Sequence, residues 1–245
     1  MSDKKALLIG INYMGTSSAL RGCINDVNRV SELLLKKGYD ITLMTDFTDD
    51  KPTRSNIVAG LKKLISSSAS QLFFHYSGHG SWIPDYDGDE SDGRDECLVP
   101  LDYQTSGMIV DDEIKIMLMD LRKDQKLFAV LDCCHSGTGM DLRYNLYSRV
   151  GGSQLRLIKD GRISKTPGQC ILLSGCKDSQ TSADAYINST FQGAMTNAFL
   201  KAYPKATSLK DLIKRIRKIL KKGHYSQIPN LSTGRKTTLK EYVDF

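Results

Sequence analysis

A chain of 245 residues that is 40% hydrophobic and 25% charged, with a formal net charge of +6, can bury one large α/β core and does not have the composition of a disordered, collagen-like or low-complexity protein. The start, MSDKKALLIGIN, lacks the layout of a secretory leader, and no stretch approaches the roughly 18 apolar residues of a membrane span. An intracellular, cytoplasmic protein without a membrane span is therefore expected, with its 6 cysteines held as thiols rather than disulfides.

In chain order, 6-ALLIGI-11 predicts a strand buried on both faces. The next segment, 24–38, places Ile24, Val27, Val30, Leu33 and Leu34 on one helical face and stops at Gly38. A weaker strand follows at 40–46. A second helix over 53–66 presents Ile57, Leu61, Leu64 and Ile65, and 72-LFFHYS-77 is a second buried strand. A helix over 111–122 starts with acids, and 127-LFAVLD-132 is another strand. The basic, apolar-poor stretch 142–168 reads as a mobile linker. A strand at 170–175 and a helix over 192–203 come after it. The helix over 208–223 has Ser208 and Asp211 near capping-box spacing. Its stripe 214-KRIRKILKK-222 reads as a solvated face, with a membrane or nucleic-acid surface as the alternative. With so mild a net charge, no nucleic-acid partner is expected. Strands alternating with helices predict an α/β sandwich with a mostly parallel sheet, whose functional groups gather at the carboxyl ends of the strands.

Two of those ends carry reactive groups. The run 72-LFFHYSGHGS-81 leads out of a strand into His79 between two glycines, and 127-LFAVLDCCHSG-137 leads into Cys133, Cys134 and His135. A thiol is a useful nucleophile only as thiolate, so it needs an imidazole to take its proton. Flanking glycines let backbone N–H groups approach a carbonyl closely, which suits an oxyanion hole. Adjacent cysteines lack the usual zinc spacing, and there is no C-x-x-C redox motif. A packed cysteine pair beside a surface histidine remains the plainer alternative for this stretch taken alone. The segment 84-PDYDGDESDGRDE-96 concentrates carboxylates that repel one another unless they are solvated or bound to a hard cation. Counted from Asp85, its sixth residue is Glu90 rather than Gly, so it is not an EF-hand.

The pair H-Y-S-G-H-G and D-C-C-H-S-G resembles the metacaspase family of cysteine peptidases. The likeness extends through 20-LRGCINDV-27, 170-CILLSGCKDSQTSAD-184 and 227-QIPNLS-232. The resemblance implies a caspase-like three-layer sandwich and one compact catalytic domain over 1–245, without a long N-terminal prodomain. Within it, 1–141 would match a large subunit, 142–168 the linker and 169–245 a small subunit. The resemblance further implies His79 as general base and acid, Cys134 as nucleophile, and the N–H groups of Gly80 and Cys134 as the oxyanion hole. Cys133, pointing to the opposite face, would pack inward.

The same likeness assigns Cys23, Asp26, Ser77 and Asp132 to a pocket for a basic side chain, and Asp95, Asp111, Asp112 and Asp141 to an activating calcium ion. Acids at 111 and 112 would equally stabilise a helix N-terminus. The implied reaction is endoproteolysis after Arg or Lys, by a monomer acting on protein or peptide substrates. Self-cleavage could occur among Arg143, Arg149, Arg156, Lys159, Arg162 and Lys165. The alternatives are a non-catalytic scaffold or calcium-responsive adaptor, and a peptidase cutting after Asp, for which Arg21 is the one nearby cation.

Overall fold

Apolar runs whose odd and even residues are both buried must lie between two helical layers, and the chain is built that way. The computed structural model describes residues 3–85, 93–133, 139–148, 155–175, 185–187 and 190–245. Its first half contains β1 (Lys4–Gly10), α1 (Cys23–Lys36), β2 (Asp40–Thr45), α2 (Arg54–Ile65), β3 (Gln71–Ser77), β4 (Gly80–Pro84), β5 (Arg94–Leu98), α3 (Tyr103–Ser106), β6 (Ile109–Val110), α4 (Asp111–Leu118) and β7 (Lys126–Asp132). The second half adds β8 (Tyr144–Ser148), β9 (Leu155–Lys159), β10 (Gln169–Ser174), β11 (Ala185–Ile187), β12 (Thr190–Gln192), α5 (Ala194–Ala202), α6 (Leu209–Lys222) and β13 (Asn230–Thr233).

Eight strands form the main sheet in the order β2-β1-β3-β7-β10-β13-β8-β9. The five from β2 to β10 run parallel, and β13, β8 and β9 add antiparallel neighbours. Leu7, Ile9, Phe74 and Tyr76 face one core with Ile57 and Leu61 of α2 and Ile114 of α4. Ala6, Leu8, Phe73 and Phe128 face the other with Val30 of α1, Phe199 of α5 and Ile216 of α6. The result is the mostly parallel α/β sandwich that the strand–helix alternation predicts.

The stretch expected to be a linker differs. Within 142–168, β8 and β9 form an antiparallel hairpin, with Tyr144 opposite Lys159 and Ser148 opposite Leu155, and β8 joins the sheet through β13. Leu146, Leu155 and Leu157 pack on the core beside α6. Leu146, Leu155 and Leu157 share the core-facing side of these five-residue strands, but Tyr147 and Ile158 stand exposed on the other side, and apolar residues on both faces blur the period-two signal. Among the described residues no helix is long and apolar enough to cross a membrane.

Candidate active site

The site is organised by the pairing of β3 with β7. Ser77 and Asp132, the last residues of these parallel strands, are register partners. The segments carrying His79 and Cys134 therefore leave the sheet from adjacent positions. Cys134 and His135 lie outside the described residues, as do Asp87, Asp89, Glu90 and Asp92 of the acidic loop. Cys133 is described: it is 1% exposed and belongs to the core cluster under the sheet, as its expected inward direction requires.

His79 is half-buried and held from three directions. Its Nε2 lies 2.7 Å from the carbonyl oxygen of Ser18. A carbonyl only accepts, so Nε2 carries the hydrogen and Nδ1 is left with the lone pair. The ring lies against Tyr13, with centroids 4.7 Å apart and planes at 39°. The His79 backbone N–H donates to the Tyr13 hydroxyl at 3.0 Å. That hydroxyl donates in turn to the Val99 carbonyl at 2.6 Å, while the Tyr76 hydroxyl donates to the His79 carbonyl at 2.8 Å. Each phenol has one proton, so the two oxygens, 3.2 Å apart, are both committed to the strand ends around His79.

The loop that delivers Tyr13 and Ser18 follows β1 and is itself anchored. The carboxylate of Asp46, just past β2, accepts the N–H groups of Asn12 at 2.7 Å and Met14 at 3.0 Å. Tyr13 sits at φ 49°, the left-handed region that a residue with a side chain rarely adopts. Burial raises the Tyr13 and Tyr76 phenols above their ordinary range, so both remain hydrogen-bond donors. These hydroxyls also explain Gly78. A Cβ there would stand 2.8 Å from the Tyr76 oxygen and 3.1 Å from that of Tyr13. Gly80 begins β4, opposite Leu98 of β5.

The four residues assigned to the substrate pocket are all fully buried: Cys23, Asp26, Ser77 and Asp132 each show 0% exposure. Asp26, in the first turn of α1, is shut off from solvent. Its carboxylate accepts the Ser77 hydroxyl at 2.8 Å and the Gly193 N–H at 2.9 Å. Asp132 accepts the Thr196 N–H at 2.7 Å. The two acids converge on Gly193, where an added Cβ would fall 2.0 Å from an Asp132 oxygen and 2.5 Å from one of Asp26. Burial and the neighbouring Asp132 push the Asp26 carboxyl well up, against the opposing pull of Gly193, Ser77 and Arg29. Cys23 lies one turn before Asp26 and packs in the opposite core with Tyr13 and Cys133.

Behind this pair stands His75, fully buried on β3. Its Nδ1–H donates to the Val130 carbonyl at 2.9 Å, which leaves Nε2 to accept the Thr196 hydroxyl at 3.4 Å. Burial lowers its pKa to about 4, so it stays neutral and fixes the start of α5 against Asp132. Tyr13, Ser18, His75, Gly193 and Thr196 carry no local signal in the sequence, since every contact that gives them a role is long-range.

Of the calcium candidates, Asp95, Asp111 and Asp141 are buried, at 7%, 2% and 3% exposure, and Asp112 is half-buried. Asp111 accepts the N–H groups of Glu96 and Asp112, each at 3.2 Å. Burial, with the negative charges of Asp111, Asp95 and Glu96, pushes the Cys97 thiol up to about 12. Asp141 is linked to α4 through Lys115, whose Nζ donates to its carbonyl and, at 2.7 Å, to that of Ser164. Oxygen-only donors suit a hard cation. Among the described residues, no three acids, histidines or cysteines are grouped as a metal site.

Comparison with known proteins points the same way. A family model described as the metacaspase, peptidase C14 domain matches residues 4–143. Metacaspase-1 of Cryptococcus neoformans is 41% identical over 284 aligned residues, covering 94% of this chain and 62% of that protein. Metacaspase-1 of Schizosaccharomyces pombe is 36% identical, covering 94% and 67%. The chain thus spans less than two thirds of the Cryptococcus relative. A crystal structure from Geobacter sulfurreducens superposes with a TM-score of 0.69 at 22% identity, over 98% of this chain and all of that one. The Drosophila initiator caspase Dronc gives 0.55 at 12% identity, over 97% and 80%. At such identities these structures share the fold alone.

Proposed function

The chain belongs to the metacaspase family, and on that premise we propose that it is a cysteine endopeptidase cutting after Arg or Lys, with Cys134 as nucleophile and His79 as general base and acid. The observation that carries the chemistry is the tautomer of His79. With Nε2–H tied to Ser18, Nδ1 is the nitrogen available to take the thiol proton. The Cys134 sulfur then forms a bond to the scissile carbonyl carbon, and the carbonyl oxygen becomes an oxyanion facing the N–H groups of Gly80 and Cys134. The C–N bond breaks as His79 returns its proton to the leaving amine. A water, deprotonated by the same nitrogen, then frees the acyl group and restores the thiol. The Ser18 carbonyl stabilises the imidazolium formed between these steps.

Specificity for a basic residue rests on Asp26 and Asp132. Two buried carboxylates pressed together favour a cation that lets both ionise, and disfavour an acidic side chain. Ser77 holds Asp26 in place and Cys23 packs beneath its helix turn. Cleavage after Asp is less well supported, since the Arg21 guanidinium lies over the Phe191 ring at 5.1 Å.

We assign calcium to Asp95, Asp111, Asp112 and Asp141 on their oxygen-only chemistry and on the burial of three of them. When bound, the ion would be held by these carboxylate oxygens and would tie β5, α4 and the Asp141 turn together. Self-cleavage has its most accessible sites at Arg162 and Lys165, which follow β9, whereas Arg156 and Lys159 lie within its ladder. Arg149 lies outside the described residues. The enzyme is read as a monomer acting on protein or peptide substrates, with no nucleic-acid partner. A reducing, cytoplasmic setting suits Cys23, Cys97, Cys133 and Cys170, all buried thiols rather than disulfides.

Fluorogenic peptides ending in Arg, Lys or Asp, offered with calcium or with excess chelator to wild type and Cys134→Ala, separate the readings. Calcium-stimulated turnover of Arg and Lys peptides by wild type alone supports the proposal. No turnover at all would favour a scaffold or adaptor, and an Asp preference a different peptidase. Intact mass before and after calcium shows whether the 142–168 stretch is cut.

A further inference from the structure

A second, strongly basic cleft lies far along the sheet from His79. It has a volume of about 650 Å³ and opens between the β8–β9 hairpin, the start of α6 and the segment 236–240. Arg156, Lys159, Lys210, Lys236 and Lys240 line it, and no acidic residue does. None of these five cations forms an ion pair among the described residues. The nearby Glu241 carboxylate is engaged by Lys126 at 3.7 Å and by the Thr237 hydroxyl. The floor is apolar, from Tyr144, Leu157 and Leu239.

The wall is built rather than loose. The first N–H groups of α6 donate to the tail: Leu209 to the Glu241 carbonyl at 3.0 Å and Lys210 to that of Leu239 at 2.8 Å. Glu241 N–H closes a turn on the Thr238 carbonyl at 3.0 Å. The segment carrying Lys240 is thereby fixed against the start of α6, on the far side of the cleft from β9.

We propose that this cleft binds a small molecule bearing several phosphate groups on an apolar or aromatic body. Four lysines gathered without counterions repel one another, with Arg156 at the rim where its guanidinium lies over the Tyr147 ring at 5.4 Å, and a polyanion relieves that repulsion. Lysines serve phosphate as point charges. The volume falls within the roughly 300–1,000 Å³ range of small-molecule sites, and the leucines and tyrosine give the body of such a ligand a surface to cover. The position argues against a role in peptide binding. Tyr144 is level with Ile171 at the start of β10, both opposite Thr233, whereas the site at His79 lies beyond the opposite strand ends. The ligand would staple the hairpin that follows β7 to the C-terminal tail, and so would act without competing with a peptide.

Calorimetric titration of the full chain with inorganic tripolyphosphate and with ATP, at physiological salt, tests this. Saturable one-to-one binding is expected, tighter for ATP because its base can cover the apolar floor. The variant Lys159→Gln/Lys236→Gln/Lys240→Gln should bind roughly tenfold or more weakly. These side chains have no ion-pair partner to lose and repel one another, so its thermal midpoint without ligand should be at or above that of wild type. Lys218→Gln/Lys221→Gln/Lys222→Gln, on the exposed face of α6, should bind like wild type. Absence of saturable binding would overturn the proposal, as would equal weakening by both variants, which would mean diffuse attraction. Tighter capture of a glutamate-rich peptide than of ATP would overturn it in favour of an acidic protein segment.

Discussion

Replacing Tyr13 by Phe keeps the ring against His79 and removes only its hydroxyl. That oxygen is the acceptor for the His79 N–H at 3.0 Å and a donor to the Val99 carbonyl at 2.6 Å. Tyr76 lies 3.0 Å from the Val99 oxygen, but its one proton goes to the His79 carbonyl, so Val99 loses its hydroxyl donor as well. The His79 N–H is left beside Gly78 with its acceptor gone. An orphaned buried donor costs about 1–3 kcal/mol, and the same strain falls on the backbone that aims the imidazole. Stability by urea unfolding should therefore drop by about 2 kcal/mol. If half of that is felt as displacement of Nδ1 in the transition state, kcat/KM on an Arg peptide should fall roughly fivefold. The loss should appear in kcat rather than in KM, because the hydroxyl touches neither Asp26 nor Asp132. Tyr76→Phe, which removes the donor to the His79 carbonyl, should behave similarly. A Tyr13→Phe variant with wild-type stability and wild-type kcat would refute the reasoning.

Asp26→Asn should abolish cleavage after Arg and Lys and yet stabilise the fold at neutral and higher pH. The Asp26 carboxyl is raised in the folded state by burial and by Asp132. Its contribution is thus fully present below its unfolded value and is lost as pH rises through the folded one. The stability gap between Asn variant and wild type should accordingly widen from pH 5 to pH 8 in urea titrations, and a gap that narrows would contradict the assignment. Phe128→Ala removes a ring packed 5.9 Å from Phe73 and 4.7 Å from Phe245, and should cost about 3–5 kcal/mol by calorimetry. Cys133→Ala should retain most peptidase activity, and a loss as complete as that of Cys134→Ala would show that the two cysteines do not divide into a packed and a working residue.

The fold was readable wherever one residue's surroundings are set by its near neighbours. The runs at 6–11, 72–77, 127–132 and 170–175 are strands because both parities of side chain are buried, which leaves no polar alternation to obscure them. The hairpin of β8 and β9 was missed because its strands are only five residues long and Tyr147 and Ile158 on the outer face break the alternation. At the site, His79 stands out through its glycines, but the physical reason for Gly78 is the approach of two tyrosine hydroxyls from β3 and the loop after β1. Tyr76 is a near neighbour, but nothing near position 78 in the chain announces Tyr13. Gly193 is the same kind of case: it is required by two carboxylates more than 60 residues away on other elements.

The most direct test of the central assignment is covalent trapping. A peptide ketone ending in Arg and carrying a displaceable group on the adjacent carbon should alkylate the working thiolate as that group leaves. After digestion, mass mapping is expected to find a single adduct, on Cys134, that does not form in His79→Ala. An adduct on Cys133 or Cys97, or labelling that is indifferent to His79, would contradict the Cys134–His79 pairing.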